Sequence, residues 1–284
     1  MPISLNKTVL MSGAEYFGDA LAINAYMDAA VPVDVRGAVA DHQAIRAALE
    51  AAGISVIKVP APENCQDGVY TANWGLVRGD VAVLSSLPNT RQSEEPYARA
   101  ALQKLGKTVI TPPHRFSGQG DALPCGNLLF VGSEYRTDQR MHQFLADTLG
   151  YEVIGLQTVP KYNADGQPVT NAVTGWPDSF FYDLDLALAV LRPDLIAWCP
   201  EAFLPASQEK IRALANLEKI EVSLEEAMRG FACNLISTGQ TVIMSANASD
   251  LAAAIVSRGL KILTPTVRQI HKGGGFIRCT SLTL

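Results

Sequence analysis

Residues 75–112 read GLVRGDVAVLSSLPNTRQSEEPYARAALQKLGKTVITP, and this stretch decides the fold. Two runs rich in Val and Leu enclose the turn Arg78-Gly79-Asp80, which predicts an antiparallel strand pair. Residues 94–106 place apolar side chains at helical spacing and end at a glycine, so they predict a helix. Residues 107–112 then predict a third strand, which completes a strand–strand–helix–strand unit.

The same order of elements recurs along the chain, with copies that begin about 45 to 60 residues apart, and such a period indicates a repeat architecture. We therefore predict an α/β protein with one domain, residues 1–284, built from five ββαβ modules with five-fold pseudosymmetry. A doubly wound sheet with irregular loops is the alternative. Residues 159–178 carry Pro, Gly and Asn without periodicity. They predict a long loop, of the kind that often forms a lid or binds ligands.

The composition excludes several classes of protein. Hydrophobic residues make up 48% of the 284 residues and charged residues 18%, which predicts a folded core. A net charge of −5 without a basic block argues against a nucleic-acid partner. We expect no membrane helix, because no apolar run approaches about 18 residues, and no signal peptide, because the N-terminus has one Lys and a brief apolar stretch.

Cysteine and histidine usage points to a protein without a metal. The five cysteines are odd in number and contain no C-x-x-C pair, so we interpret them as free thiols in a reducing cytoplasm. The four histidines are scattered, and none forms a tight pair with a cysteine at the spacing of a structural zinc site. We predict no metal and no cofactor.

Polar residues lie where loops join the apolar strands of successive modules. In a repeat arranged around an axis, equivalent loops meet at one end, so these residues predict a site. Two of them, Asp183 and Asp185, alternate along a predicted strand and would share one face. Burying both carboxylates is costly without a cation, which favours a cationic ligand; a solvent-facing edge is the alternative. The candidates are Asn73, Asp121, Asp183, Asp185 and Cys279.

The thiol at Cys279 has two interpretations. A lone cysteine in a strand-like run is usually a core residue. However, three consecutive glycines precede it at 273–275, and glycine allows the backbone to approach a ligand closely. The thiol could therefore be a nucleophile.

Six motifs together carry a family resemblance that covers nearly the whole chain. The chain resembles the guanidino-group-modifying enzymes, which include arginine deiminase, dimethylarginine dimethylaminohydrolase and the amidinotransferases. The resemblance implies the pentein fold, five ββαβ modules around a pseudo-five-fold axis. The motifs are YFGDALAINAYMD (16–28), DGVYTANWGLV (67–77), RQSEEPY (91–97), GQGDALPCGNLLFVGSEYRTD (118–138), FYDLDLALAVL (181–191) and GGGFIRCTSLTL (273–284).

The resemblance also implies a mechanism and a set of roles. A cysteine thiolate attacks the guanidinium carbon, an amine leaves, and water hydrolyses the thiouronium intermediate. Cys279 falls on the nucleophile position, and Asp185 on a carboxylate that grips the guanidinium in relatives. Asn73 falls where many members have Asp and others Asn. Arg91 and Arg136 fall on arginines that bind the substrate carboxylate or order the site.

This sequence departs from the family pattern at two linked positions. The resemblance places the catalytic His at the position of Asp183, and a supporting Glu at the position of Ser117. Both halves of that His–Glu pair are absent together, which reads as one functional change. We expect Asp183 to take over proton transfer; His271 and His114 are alternative candidates for the missing acid/base.

The sequence therefore supports two main hypotheses. The first is a Cys-dependent hydrolase or amidinotransferase-like enzyme that acts on a C–N bond of an arginine-related guanidino compound. The second is a non-catalytic binding protein for a cationic guanidino or amine ligand. A third outcome, arginine dihydrolase-like release of two ammonia molecules, follows from Asn73 alone. The sequence leaves open whether the chain forms a homodimer.

Overall fold

The computed structural model describes residues 5–28 and 30–284. The first four residues of the N-terminal stretch considered above, and residue 29, lie outside this part of the chain. Within the described residues, no helix is both long and apolar enough to cross a membrane.

In the described part of the chain, the strands form five three-stranded sheets. In each sheet the middle strand pairs antiparallel with one neighbour and parallel with the other. The strands are β1 (Thr8–Met11), β2 (Ser55–Lys58), β3 (Gly75–Arg78), β4 (Val81–Leu84), β5 (Thr108–Ile110), β6 (Ala122–Cys125), β7 (Leu128–Val131), β8 (Glu152–Gly155), β9 (Leu188–Arg192), β10 (Leu195–Trp198), β11 (Glu218–Glu221), β12 (Ile236–Ser237), β13 (Thr241–Ile243), β14 (Lys261–Leu263) and β15 (Leu282–Thr283).

One helix joins the middle strand of each sheet to its parallel partner, so each module has the order ββαβ. These helices are α1 (Val35–Ala51), α2 (Glu95–Lys104), α3 (Met141–Leu149), α4 (Pro205–Arg212) and α6 (Ser249–Ser257). A further short helix, α5 (Leu224–Gly230), lies between the fourth and fifth modules. The prediction of five ββαβ modules is confirmed.

Local chemistry explains where these elements begin and turn. The Asp34 side chain accepts a hydrogen bond from the Arg36 N–H and caps α1, and Ser223 caps α5 through the Glu226 N–H. In the β3–β4 hairpin, Gly79 adopts a left-handed φ of 58°, and Gly239 does the same in the β12–β13 hairpin with a φ of 85°. The turns that the sequence predicted are therefore made by residues suited to them.

The inner strands gather around one axis. Strand β9 contacts β6 and β12, and β15 contacts β3. The N-terminal module receives its inner strand from the other end of the chain, because β15 pairs antiparallel with β1. The polar residues that precede each inner strand are thereby delivered to one end of the axis, while apolar side chains such as Trp198 and Phe203 fill the core.

Two predicted strand positions are wrong in detail. Residues Leu184–Leu186 form a 3₁₀ turn, and the strand begins only at Leu188, so Asp183 and Asp185 do not alternate along a strand. Cys279 likewise precedes β15 instead of lying within it. Both stretches lie where the five modules meet at the axis. There the chain forms tight turns instead of strands, and the turns direct the side chains towards the centre.

The segment 159–178 lies between β8 and β9 and contains no named helix or strand. Two isolated bridges, Tyr162 to Pro168 and Thr170 to Pro177, fold it back on itself. Its Asn171 side chain donates a hydrogen bond to the backbone oxygen of Ala22 at 3.2 Å. The loop therefore contacts the segment that follows β1.

Candidate active site

The site is built at the turns that precede the inner strands. Four of the five modules contribute the predicted polar residues, and the fifth contributes Asn234, two residues before β12. Their side chains are nearly inaccessible to solvent: Asn73, Asp121, Asp183, Asp185, Asn234 and Cys279 are all 3% exposed or less. The predicted convergence of these residues is thus present in the structure.

The Cys279 thiol contacts a carboxylate and a carboxamide. Its Sγ donates to Asp185 Oδ2 at 3.3 Å, and Asn234 Nδ2 donates to Sγ at 3.1 Å. Glycine is required nearby, because a Cβ at Gly275 would collide with the Tyr70 ring and with Cys279. The glycine run therefore serves close packing around the thiol.

Asp183 is held by a carboxamide instead of standing beside a glutamate. Asn73 Nδ2 lies 2.7 Å from Asp183 Oδ2, 3.0 Å from Ser117 Oγ and 3.0 Å from the Ser117 backbone oxygen. A side chain at Gly120 would occupy the space where Asn73 and Asp183 meet. The two positions that depart from the family pattern, 183 and 117, therefore share one partner.

Arg91 orders Asn73. Its guanidinium forms a buried bidentate ion pair with Glu94, at 2.7 and 2.8 Å, and its Nη1 donates to Asn73 Oδ1 at 2.9 Å. Burial works to lower the pKa of Arg91, but Glu94 outweighs it and the pKa is raised. Because the carboxamide oxygen is taken by Arg91, the Asn73 amide must face Asp183. Of the two roles that the resemblance implies for Arg91, this geometry matches the ordering of the site.

Asp121 supports the turn that carries the other two carboxylates. Its Oδ1 accepts the Leu184 N–H at 3.0 Å, and its carboxylate fills the space that a side chain at Gly132 would need. Asp121 thus ties the third module to the 3₁₀ turn between Asp183 and Asp185.

The three carboxyl groups form a buried acidic cluster. None of them lies within 4.0 Å of an Arg, Lys or His nitrogen of the described chain. Burial, and then the charge of Asp183, hold the pKa values of Asp121 and Asp185 well above the ordinary range of a carboxyl group. Burial and the carboxylates of Asp185 and Asp183 raise the pKa of the Cys279 thiol in the same way. A positively charged group that binds beside the three carboxyl groups would therefore stabilise the cluster.

Two carboxylate oxygens of the cluster can accept further hydrogen bonds. Asp183 Oδ1 and Asp185 Oδ1 are buried and have no hydrogen-bond partner among residues 5–28 and 30–284. A buried acceptor without a donor is costly. The two oxygens therefore indicate where the N–H groups of a ligand would bind, beside the thiol.

Arg136 packs against the site from the third module. Its guanidinium carbon lies 4.0 Å from the centre of the Tyr182 ring, and its Nη2 donates to the Ile23 backbone oxygen at 3.4 Å. Tyr182 in turn donates to the Gly274 oxygen at 2.8 Å. Arg136 therefore stands against the glycine run and the segment after β1.

The two histidines considered as replacement acid/base groups lie at different places. The His271 ring packs edge-on against Phe231, and burial lowers its pKa. His114 is half-buried in the chain that leads to Ser117. Within the described residues, Cys279 Sγ accepts a hydrogen bond from Asn234 and donates one to Asp185, and no imidazole forms a hydrogen bond with it.

Three further residues hold the site and were not predicted from the sequence. Asn234 could have been found, because it occupies in the fifth module the place of Asn73 and Asp121. Asp41 of α1 accepts backbone N–H groups from residues 268, 269 and 270, at the entrance to the glycine run. Arg278 donates to Gln119 Oε1 at 2.8 Å beneath the site, beside an axial cavity of about 170 Å³. Neither Asp41 nor Arg278 has a local sequence signal.

Among residues 5–28 and 30–284, no group of three or more His, Cys, Asp or Glu side chains is placed to hold a metal ion. The acidic cluster contains three carboxylates, but its residues are arranged around a thiol and a carboxamide. The chemistry available to these side chains is nucleophilic attack, proton transfer and the binding of a cation.

Comparison with known proteins identifies relatives across the whole chain. The chain is 33% identical over 275 residues to the N(G),N(G)-dimethylarginine dimethylaminohydrolase of Mycobacterium tuberculosis, covering 96% of this chain and 84% of that protein. It is 30% identical to the bifunctional arginine dihydrolase/ornithine cyclodeaminase ArgZ of Synechocystis, of which it covers 32%.

Solved structures share the fold. The N-terminal domain of the cyanobacterial arginine dihydrolase ArgZ, bound to product, superposes with a TM-score of 0.86 at 27% identity, over 97% of this chain and 96% of that one. The dimethylarginine dimethylaminohydrolase of Pseudomonas aeruginosa, a cysteine-to-serine variant in complex with citrulline, gives 0.76 at 19% identity, over 98% and 99%. The fold is therefore the pentein propeller.

These relatives are hydrolases that act on C–N bonds of guanidino compounds. A family description of N,N-dimethylarginine dimethylhydrolases, eukaryotic, matches residues 22–284. The chain belongs to the N,N-dimethylarginine dimethylhydrolase family.

Proposed function

We propose that this protein hydrolyses a C–N bond in the guanidino group of an arginine-related small molecule, with Cys279 as nucleophile. One observation carries the proposal: two buried, unpartnered carboxylate oxygens, on Asp183 and Asp185, flank a thiol that itself contacts Asp185. A guanidinium supplies both the N–H donors and the positive charge that this arrangement needs. Relatives are described in complex with arginine, with citrulline and with a covalent reaction intermediate.

Binding of the guanidinium prepares the thiol. In the free protein, burial and the two carboxylates raise the pKa of Cys279, so the thiolate is scarce. A cation between Asp183 and Asp185 offsets both charges and lowers that pKa. The Cys279 proton then passes to Asp185 Oδ2, its hydrogen-bond partner at 3.3 Å. Activation of the nucleophile is thus coupled to the arrival of the substrate.

The first half-reaction exchanges a C–N bond for a C–S bond. The thiolate attacks the guanidinium carbon and forms a tetrahedral adduct. The departing nitrogen takes a proton from a carboxylic acid of the pair Asp183 and Asp185, and the C–N bond breaks to leave a thiouronium on Cys279. Ammonia or a methylamine leaves, according to the substrate.

The second half-reaction consumes one water. The water attacks the thiouronium carbon and gives its proton to the carboxylate that has just lost one. The C–S bond breaks, the proton that remains on the attacking oxygen passes to the departing sulfur, and a neutral ureido product and the Cys279 thiol result. Asp183 stands where the resemblance places the histidine and, oriented by Asn73, shares the proton transfers with Asp185.

The proposal is tested by product formation with arginine, methylated arginines and agmatine. The wild type is expected to release ammonia or methylamine and to show, after acid quench, a mass adduct on Cys279. Cys279→Ser abolishes release but still binds ligand in calorimetry. Cys125→Ser is the matched control, because Cys125 lies at the end of β6 and contacts the Pro193 backbone oxygen. Turnover retained by Cys279→Ser refutes the proposal.

A second candidate function rests on the raised thiol pKa together with the absence of a histidine contact to Sγ within residues 5–28 and 30–284. These features suit a protein that binds the cation without turning it over. Ligand binding by the wild type, with no product and no Cys279 adduct, supports this alternative. Two ammonia molecules released per arginine would instead support the dihydrolase outcome that Asn73 suggests.

A further inference from the structure

The Asn234 side chain forms hydrogen bonds both to the thiol and to the loop that carries it. It is fully buried, and both the nitrogen and the oxygen of its carboxamide form hydrogen bonds. Nδ2 donates to Cys279 Sγ at 3.1 Å and to the Asp185 backbone oxygen at 3.4 Å. Oδ1 accepts the backbone N–H groups of Phe276 at 3.1 Å and of Cys279 at 3.2 Å.

These contacts fix the orientation of the carboxamide. Two backbone N–H groups point at Oδ1, so the flipped amide would set donors against donors. The NH₂ group must therefore face the sulfur. The Asn234 backbone oxygen also accepts the Arg278 N–H at 3.4 Å, which fastens the same loop a second time.

The turn that delivers Asn234 has an unusual backbone. Phe231, the residue after α5, has a left-handed φ of 51°, and the Asn234 N–H donates to the Phe231 oxygen at 3.0 Å. A bulky residue in this region is strained and persists only where its surroundings hold it. The Phe231 ring is held by stacking on Phe276, at 5.7 Å between centroids, and by Tyr26 at 4.9 Å.

An N–H aimed at sulfur favours the thiolate over the thiol, because the negative charge accepts the stronger hydrogen bond. This effect opposes the burial and the carboxylates that raise the pKa of Cys279. Asn234 is the only side-chain donor to Sγ among the residues that the structure describes.

We propose that Asn234 is a catalytic residue that stabilises the Cys279 thiolate through Nδ2 while its Oδ1 holds the turn from Phe276 to Cys279. The proposal takes from the proposed function only the role of Cys279 as nucleophile. Because it concerns the ionisation of the thiol, it can be tested on the protein without any substrate.

The test is the pH dependence of Cys279 alkylation, followed by peptide mass, in Asn234→Ala and Asn234→Asp. Asn234→Ala removes both contacts, and we expect Cys279 alkylation to slow by about tenfold or more at any pH below the thiol pKa. Asn234→Asp keeps the acceptor for Phe276 and Cys279 but replaces the NH₂ donor. Its alkylation is expected to fall furthest below wild type at the pH values where the new carboxyl ionises.

The other cysteines serve as internal controls for folding. Cys65, Cys125, Cys199 and Cys233 are all buried, so general unfolding exposes all of them together. A purely structural role for Asn234 predicts that Asn234→Asp alkylates like wild type at every pH, and that result overturns the proposal. Alkylation of Cys279 at the wild-type rate in both variants also overturns the proposal. If the wild type turns over no substrate, the alkylation measurement still tests the role of Asn234, and the result counts only against the proposed function.

Discussion

At the scale of single residues, the site replaces one acid–base pair by a different set of contacts. The resemblance places a histidine and a glutamate at positions 183 and 117, and this chain has Asp183 and Ser117. A carboxylate at position 73 would repel Asp183, whereas Asn73 donates to it at 2.7 Å. Asn73 therefore stabilises the buried Asp183. The Asn73 Oδ1 atom is held in turn by a hydrogen bond from Arg91.

The sequence predicted the participants at this scale but not their pairing. Cys279, Asp185 and Asp183 stand in recognisable motifs, so their convergence followed from the repeat. That Asn73 bridges Asp183 and Ser117 could not be predicted, because the contact depends on the space that Gly120 leaves between two modules.

Asp183→Asn separates the two effects of this carboxylate. The new side chain can still offer an oxygen to Asn73, so the geometry is kept while one charge is lost. We expect the KM for a guanidinium substrate to rise by about tenfold or more, because one partner of the cation is neutral. We also expect Cys279 of the free protein to alkylate faster at a given pH, because a charge that raises its pKa is gone.

The opposite directions of these two changes exclude simple misfolding. Asp194→Asn is the control, because Asp194 is 71% exposed and pairs only with Arg192. It should change neither the KM nor the rate of alkylation. A slower alkylation of Cys279 in Asp183→Asn contradicts the charge argument.

Among the helices and strands, those that depend on neighbouring residues differ clearly from those that depend on distant parts of the chain. Hairpins such as β3–β4, and helices such as α2, follow from alternation, periodicity and glycine stops within about 40 residues, and the sequence predicted them. The helix α5 was missed, since its seven residues give too short a period. The pairing of β15 with β1 joins the two ends of the chain and has no local signal.

Helix α1 controls the segment that leads to the nucleophile through Asp41. Its Oδ2 accepts three successive N–H groups, from residues 268 to 270, just before the glycine run. We expect Asp41→Ala to destabilise the protein by about 3 kcal/mol, because three donors lose a charged acceptor. Thermal unfolding measures this loss, and Cys279 alkylation at a temperature where the variant stays folded should change in rate as the segment loosens.

Asp34→Ala is the matched control, because Asp34 caps the same helix but only at its exposed start. It should cost about 1 kcal/mol and leave Cys279 unchanged. Equal losses in the two variants, with no effect on the thiol in either, would mean that Asp41 supports only α1.

At the scale of the whole molecule, the acidic cluster makes stability depend on pH. Asp185 and Asp121 have pKa values well above those of unfolded carboxyl groups, which are about 3.9. Above about pH 4 the unfolded chain therefore releases protons that the folded protein retains, and stability falls as the pH rises towards the folded pKa values. The fold carries this cost at neutral pH.

His42 acts in the opposite direction over the same range. Burial lowers its pKa from the ordinary 6.5 to about 4. Below pH 6.5 the unfolded chain gains a proton that the folded protein refuses, so this group removes stability as the pH falls from 6.5 to 4. A single stability curve mixes the two effects, but a variant that differs only at the cluster cancels the contribution of His42.

Asp185→Asn is that variant, since the carboxamide has the shape of the protonated carboxyl group. We expect its melting temperature to exceed that of the wild type at pH 7 to 8, by about 2 °C or more for each kcal/mol gained. The difference should shrink as the pH falls towards 4, where Asp185 begins to be protonated in the unfolded wild type as well as in the folded protein. Differential scanning calorimetry at pH 5, 6, 7 and 8 measures it.

A guanidinium ligand should stabilise the wild type more than the variant, because only the wild type regains a charge partner. Equal melting temperatures at every pH would show that Asp185 is ionised and compensated in the free protein, and the acidic cluster would then not be the source of its affinity for cations.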